Sequence, residues 1–341
     1  MMENKKVKLG QFFTKELSWL KPQIKEFIIN SHCNIAYDPY AGAGDILRAV
    51  SSLGIKEIRG LDIDSVLKWK INDSLLFIPH IDDAIIVTNP PYLSNYSASR
   101  KKIYDSVAKY FEKSIYDDVY LIALDKMIEA QKYVVAIIPE TFINSNYLQK
   151  NKLNSITVLE DNPFHDTDTP VCVACFDSVD KNLNMIKVYK NERYSCSLVD
   201  IENNRLIPQN DVKIQFNVLS GWLGLRAVDT TSDEDMLRFD FKENFDYNWD
   251  IGIKVSSRLL SVIDIEIPIS DRADFIVICN RILNERRNIT DDLIFSPFKG
   301  NMKSGRRRRR LDFKTARAIM ELAYKELYGR GDKNGNQLKL F

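Results

Sequence analysis

The chain has 341 residues, 45% of them apolar and 28% charged, and a formal net charge of +1. That length holds two ordinary domains with real cores, and the composition is that of a globular protein. No apolar run approaches the roughly 18 residues a membrane span needs, and the opening Met1-Met2-Glu3-Asn4-Lys5-Lys6 lacks a signal-peptide core; a cytoplasmic protein with no membrane partner is expected.

The five cysteines are odd in number and without framework spacing, so reduced thiols are expected. Cys172-Val-Ala-Cys175 has a metal-like spacing, but it lies in a strand-like run. Alternation would send the two sulfurs to opposite faces, so no metal is expected there. Three histidines also argue against a metal enzyme or a Ser-His-Asp hydrolase.

In chain order, apolar strand-like runs at 34–37, 57–61, 84–88, 133–138, 156–159 and 171–176 alternate with helical patterns. Ile46, Leu47, Val50 and Leu53 recur at helical spacing until Gly54, and 119–133 carries Leu121, Leu124 and Ile128 on one helical face. Such alternation predicts an α/β fold: a Rossmann-like, doubly wound, mostly parallel sheet. The last two strands are joined by a Pro-containing loop, which predicts a closing antiparallel hairpin. Beyond residue 180 the rhythm is lost, and short aromatic segments suggest a C-terminal α+β module, with Trp222, Phe239, Phe241, Phe245, Tyr247 and Trp249 as core. A last amphipathic helix runs from Phe313 to Leu327 with Asp312 as N-cap, and 332–341 reads as frayed. The expected division is 1–180 and 181–341.

Three segments carry chemistry. Asp38-Pro39-Tyr40-Ala41-Gly42-Ala43-Gly44 joins a strand to a helix, where glycines let the backbone approach a ligand. Asp62, at the tip of the next strand, can accept both hydroxyls of a ribose. The pair suggests a nucleoside cofactor, yet lacks the third glycine of the dinucleotide fingerprint and the Gly-Lys-Ser/Thr of a phosphate loop. The third segment, Asn89-Pro90-Pro91-Tyr92, follows a buried strand. Its prolines cannot continue a ladder, leaving a stiff loop with an amide, a free carbonyl and an aromatic face. Those parts can hold a planar amine during transfer to its nitrogen.

With this tetrapeptide the chain resembles the S-adenosylmethionine-dependent amino-methyltransferases, most closely the N6-adenine DNA methyltransferases of the gamma motif order. In that family a Gly-Gln-Phe/Tyr-Phe-Thr segment precedes the glycine loop; here Lys8-Leu9-Gly10-Gln11-Phe12-Phe13-Thr14 stands there. The resemblance covers roughly residues 8–180. It implies S-adenosyl-L-methionine as cofactor, with Phe13 and Thr14 closing over it. Asp38, Gly42 and Gly44 would line the methionine moiety, Asp62 would take the ribose hydroxyls, and Asp73 would take the adenine amine. It implies catalysis by Asn89, Pro90, Pro91 and Tyr92, with Phe164 packing against an extruded base. The Asn89 side-chain oxygen and the Pro90 carbonyl would each accept one N–H bond, aiming the nitrogen lone pair at the sulfonium methyl. A paired amine must first be flipped out of the duplex.

Charge is uneven: residues 1–180 hold 20 Lys/Arg against 24 Asp/Glu, whereas 281–341 hold 16 against 7. Lys299, Lys303 and Arg306, Arg307, Arg308, Arg309 and Arg310 read as a basic loop that could lie along phosphates of double-stranded DNA. A site-specific DNA adenine methyltransferase is therefore expected, either solitary or functionally paired with a cognate restriction endonuclease. Glutamine methyltransferases of release factors share the tetrapeptide but resemble a helical N-terminal domain followed by the catalytic one. Here 37 residues precede the glycine loop and a basic region follows the core. The same motifs are also compatible with methylation of RNA, and the fold with a non-catalytic DNA-binding specificity protein.

Overall fold

Short β-branched runs become strands, and the 3.6-period runs between them become helices, through the first half of the chain. The computed structural model describes residues 17–164, 167–249 and 259–329. The chain divides into two compact units, Met1–Val199 and Asp200–Phe341.

The first unit contains strands β1 (Ile35–Asp38), β2 (Glu57–Asp62), β3 (Lys70–Ile71), β4 (Ala84–Thr88), β5 (Tyr133–Pro139), β6 (Leu153–Leu159), β7 (Val171–Phe176), β8 (Lys187–Lys190) and β9 (Arg193–Ser197). Helices α1 (Pro22–Asn30), α2 (Asp45–Val50), α3 (Asn95–Arg100), α4 (Tyr104–Phe111) and α5 (Val119–Ala130) accompany them. The strands form one sheet in the order β3-β2-β1-β4-β5-β7-β6-β8-β9. Strands β1 to β5 are parallel, and β7 lies antiparallel between β5 and β6. This is the expected α/β architecture with its antiparallel hairpin.

Both faces of the sheet are covered, which is why its central strands are apolar throughout instead of alternating. Ile85, Val87, Val135, Ile137, Val173 and Cys175 pack with Ile24, Phe27 and Ile28 of α1 and Ile46, Leu47 and Val50 of α2. The intervening Ile86, Val134, Ala136, Ile138, Cys172 and Ala174 are equally buried on the other face. Cys172 and Cys175 thus sit on opposite faces, as strand alternation requires. Helix α5 stops at Ala130, short of the expected 133, because Gln131 already has extended backbone (φ −138°, ψ 146°) leading into β5. Strands β8 and β9 lie beyond the expected boundary at 180; they extend the first sheet to Ser197, and the first unit ends at Val199.

Helix α6 (Leu198–Asn203) spans the division. The second unit is α+β. Its strands β10 (Ile214–Phe216), β11 (Leu223–Arg226), β12 (Arg238–Phe241) and β13 (Leu260–Ile265) form an antiparallel sheet in the order β10-β13-β11-β12. Helices α7 (Arg272–Ile289) and α8 (Phe313–Tyr328) supply Phe275, Cys279, Ile319 and Met320 to a core shared with Trp222, Phe239 and Ile263. Asp312 caps α8 as expected, its Oδ1 accepting the Thr315 N–H at 2.8 Å. The frayed segment expected at 332–341 lies outside the described residues.

The basic run departs from the sequence reading. Strand β14 (Ser296–Asn301) pairs antiparallel with β15 (Arg307–Arg310), so four of the five arginines expected in a loop are strand residues. Alternation buries Arg307 and Arg309, at 6% and 1% exposure, while Arg310 faces solvent. Identical consecutive residues carry no period, so neither the strand nor its two faces could be read from the sequence.

Candidate active site

The carboxyl ends of β1, β2 and β4 meet around a cleft of about 50 Å³ lined by Tyr40, Asp62, Asn72, Asp73, Pro91 and Tyr110 among others. In open parallel sheets this is the end at which ligands bind, because helix N-termini and loop amides face it. Three groups singled out from sequence, Asp62, Asp73 and Pro91, come together here.

The glycine loop crosses the tip of β1. Gly42 and Gly44 have φ of +50° and +82°, the left-handed region that favours glycine. A Cβ on Gly44 would lie 2.8 Å from Trp69 Cζ2, and one on Gly60 would lie 2.5 Å from the same indole. Trp69 also donates its Nε1–H to the Gly42 carbonyl at 2.8 Å. Trp69 therefore backs the loop, a role for which no sequence signal exists. At Gly42 a Cβ would meet nothing within 4 Å.

Asp62, 5% exposed, holds the loop from β2. Its Oδ2 accepts the Gly42 N–H at 2.8 Å and its Oδ1 accepts the Asp64 N–H at 2.9 Å. Each carboxylate oxygen keeps a second lone pair for a ligand hydroxyl. Asp38, 2% exposed, accepts from the Tyr40 N–H at 2.9 Å and from the Thr88 hydroxyl at 2.5 Å. Burial pushes its pKa up to about 7, against the lowering pull of those two hydrogen bonds. The Thr88 bond ties the end of β1 to the end of β4, one residue before Asn89. Asp73 accepts from Lys109 Nζ at 2.8 Å and from the Tyr110 hydroxyl at 2.9 Å. Thr88, Lys109 and Tyr110 were not singled out from sequence; a threonine ending a buried strand just before the Asn-Pro-Pro turn was the one available hint.

The tetrapeptide leaves β4 at the same end of the sheet. Its exit is fixed by the Val119 N–H donating to the Leu93 carbonyl at 2.9 Å, at the start of α5. The Tyr92 hydroxyl lies 2.5 Å from Asn89 Oδ1 and 2.7 Å from the Ile137 carbonyl oxygen. One hydroxyl carries one proton, so it donates to one of these acceptors at a time. Burial holds the Tyr92 pKa well above the ordinary phenol value, which keeps that proton in place. The Tyr92 ring meets Phe164 edge-on, with centroids 6.3 Å apart at 67°. Phe164 is 2% exposed and belongs to the core beneath Tyr92. Phe13 and Thr14 lie outside the described residues.

Lys303 and Arg306 to Arg310 belong to the second unit. There Asp229, fully buried, joins Arg287 (Nη1 and Nη2, each at 3.3 Å) to the β15 backbone, accepting the Arg309 N–H at 2.9 Å. Asp292 accepts from Arg287 Nε at 2.5 Å and Arg306 Nη2 at 2.8 Å. Burial draws the Arg287 pKa down, but Asp292 and Asp229 outweigh it and raise it overall. No group of metal-ligating side chains occurs among the described residues, and none of the described helices is long and apolar enough to cross a membrane.

No family model matches the chain, and no curated protein matches it. Solved structures that it resembles include a Listeria monocytogenes protein assigned as a class I S-adenosylmethionine-dependent methyltransferase. The match has 13% identity and a TM-score of 0.34, over 51% of this chain and 67% of that one. The type I restriction-modification methyltransferase subunit of Streptococcus thermophilus matches at 17% identity and TM-score 0.36, over 52% of this chain and 47% of that one. The type I restriction enzyme EcoKI M protein matches at 12% and 0.34, over 79% and 71%. Values this low leave the geometry of the site itself as the basis for a functional reading.

Proposed function

We propose that the chain is an S-adenosylmethionine-dependent methyltransferase acting on the exocyclic N6 of adenine in duplex DNA. The observation that carries this reading is that Pro91 of the Asn-Pro-Pro-Tyr turn lines the same cleft as Asp62 and Asp73. On this reading the turn that would hold the amine borders, through Pro91, the pocket whose two carboxylates would bind the nucleoside. The donor set fits the cofactor: Asp62 suits a ribose diol, Asp73 an adenine amine, and the open space at Gly42 a close backbone approach. The cleft, at about 50 Å³, is smaller than the roughly 300 Å³ of ordinary ligand sites. Cofactor binding on this reading displaces Lys109 and Tyr110 from Asp73, and Lys109, with its side chain 53% exposed, is free to swing into solvent.

When bound, S-adenosylmethionine supplies an electrophilic methyl on a sulfonium. The protein's part is orientation and electrostatics. Asn89 Oδ1 and the Pro90 carbonyl oxygen each accept one amine N–H, which favours a pyramidal nitrogen with its lone pair directed at the methyl. Tyr92, donating to the Ile137 carbonyl, leaves an Asn89 lone pair for that N–H. No strong base is required, because the proton leaves to water after transfer. The Tyr92 ring would stack on the extruded base, with Phe164 supporting it from the core.

The test is transfer of labelled methyl to duplex DNA by the purified chain. Asn89→Ala should lower the rate by about 10²–10³-fold, as loss of a charge-stabilising acceptor does, with cofactor affinity retained. Cofactor binding without transfer to duplex DNA would overturn the reading. Modification-sensitive sequencing of DNA from expressing cells would then give the base, its context and whether that context is a restriction site.

A further inference from the structure

Asp73 is held more firmly than the two groups that bond to it. Its carbonyl accepts the Leu76 N–H at 3.0 Å and the Phe77 N–H at 3.2 Å, closing a turn just after β3. Asn72 donates Nδ2 to Ser74 Oγ at 2.9 Å and to the Phe77 carbonyl at 2.8 Å, and its N–H to the Asp62 carbonyl at 2.9 Å. The Tyr40 hydroxyl donates to the Ser74 carbonyl at 3.1 Å. The acceptor is therefore fixed beside Asp62.

Its donors come from the last turn of α4, a helix that packs against α3 and α5. Lys109 Nζ and the Tyr110 hydroxyl reach the same oxygen, Oδ2, at 2.8 and 2.9 Å, and Nζ lies 4.7 Å from the centre of the Tyr110 ring. Tyr110 walls two cavities. One is the cleft of about 50 Å³ shared with Asp62; the other is a groove of about 840 Å³ lined by Leu76, Lys113, Ile122, Asp125 and Gln149 among others. The cleft is too small for a purine while the ring stands in place. On its far side the ring has the groove to turn into, and the Lys109 side chain has solvent.

We infer that Lys109 and Tyr110 form a latch on Asp73, closed in the free protein, so that the adenosine end of the cofactor binds only the molecules in which it is open. This rests on the reading that Asp73 takes the adenine amine. An ammonium and a phenol are fitting competitors, because each presents a hydrogen-bond donor to the oxygen an amine would use. The latch is weak, since the Lys109 side chain is 53% exposed and exposed ion pairs contribute little. It therefore lowers apparent affinity by the open fraction without closing the site outright.

Equilibrium and stopped-flow binding of S-adenosylhomocysteine to the full chain tests this, the probe carrying the same adenosine without the reactive methyl. Lys109→Met keeps the apolar stem, removes the ammonium and should tighten binding about threefold. Adding Tyr110→Phe should bring the gain to about tenfold. The gain should lie in the association rate with dissociation unchanged, because the open form is common to all the proteins. Lys109→Arg should bind no more tightly than wild type, and Lys113→Met, at a groove lysine four residues on, should match it. Binding that is unchanged or weaker in both Lys109→Met and the double variant, a gain made by slower dissociation, or an equal gain in Lys113→Met each overturns the latch; wild-type binding then leaves the cofactor reading standing. Binding by the double variant alone supports latch and cofactor reading together, and binding by none of the proteins overturns both.

Discussion

At the scale of single residues, Tyr92 has two jobs that one substitution separates. Its ring packs against Phe164, and its hydroxyl bridges Asn89 and the Ile137 carbonyl. Tyr92→Phe keeps the ring and removes the bridge. A net hydrogen bond is worth about 1 kcal/mol and 1.4 kcal/mol is a factor of ten, so the methyl-transfer rate should fall roughly fivefold. Single-turnover rates beside equilibrium cofactor titration would show it; an equal loss of cofactor affinity would mean that the hydroxyl shapes the cleft, leaving Asn89 unaffected. Asn89 and its neighbours were legible in the sequence because two prolines after a buried strand leave the chain few conformations. The contact to Ile137 was not, since it joins residues 45 positions apart.

Elements show why the glycine loop tolerates so little. At Gly44 the backbone is left-handed and a methyl would strike Trp69 at 2.8 Å. Gly44→Ala should therefore destabilise the first unit by about 1–3 kcal/mol. Gly42→Ala, strained in φ but facing open space, should cost less stability; denaturant midpoints of the two variants check the order. If Gly42→Ala proves the more destabilising, Trp69 is not the loop's support. Sequence placed the glycines between a strand and a helix, and the register of β1 against β2 and β4 then set the loop over the cleft. The basic run taught the reverse lesson. Its composition was plain, but pairing with β14, which selects the inward arginines, is a tertiary event.

For the molecule as a whole, Asp38 links protonation to folding. Its folded pKa, about 7, stands above the ordinary carboxylate value of 3.8. The folded state therefore holds a proton that the unfolded chain has released, and stability falls as pH rises from about 4 to 7. Asp38→Asn keeps an oxygen to accept from Thr88 and Tyr40 but cannot ionise. Its urea-unfolding free energy should lack that fall, and parallel profiles for the two proteins would remove Asp38 as the cause. The sequence alone determined the α/β class, the strand-end placement of the glycine loop and the Asn-Pro-Pro-Tyr turn, because periodicity and proline geometry act over a few residues. Tertiary structure decided the rest: strands β8 and β9 joining the first sheet, Trp69 behind the loop, Lys109 over Asp73, and the division of the arginines between inside and outside. Each of those depends on which distant backbone supplies the partner, and that is set by packing of the whole chain.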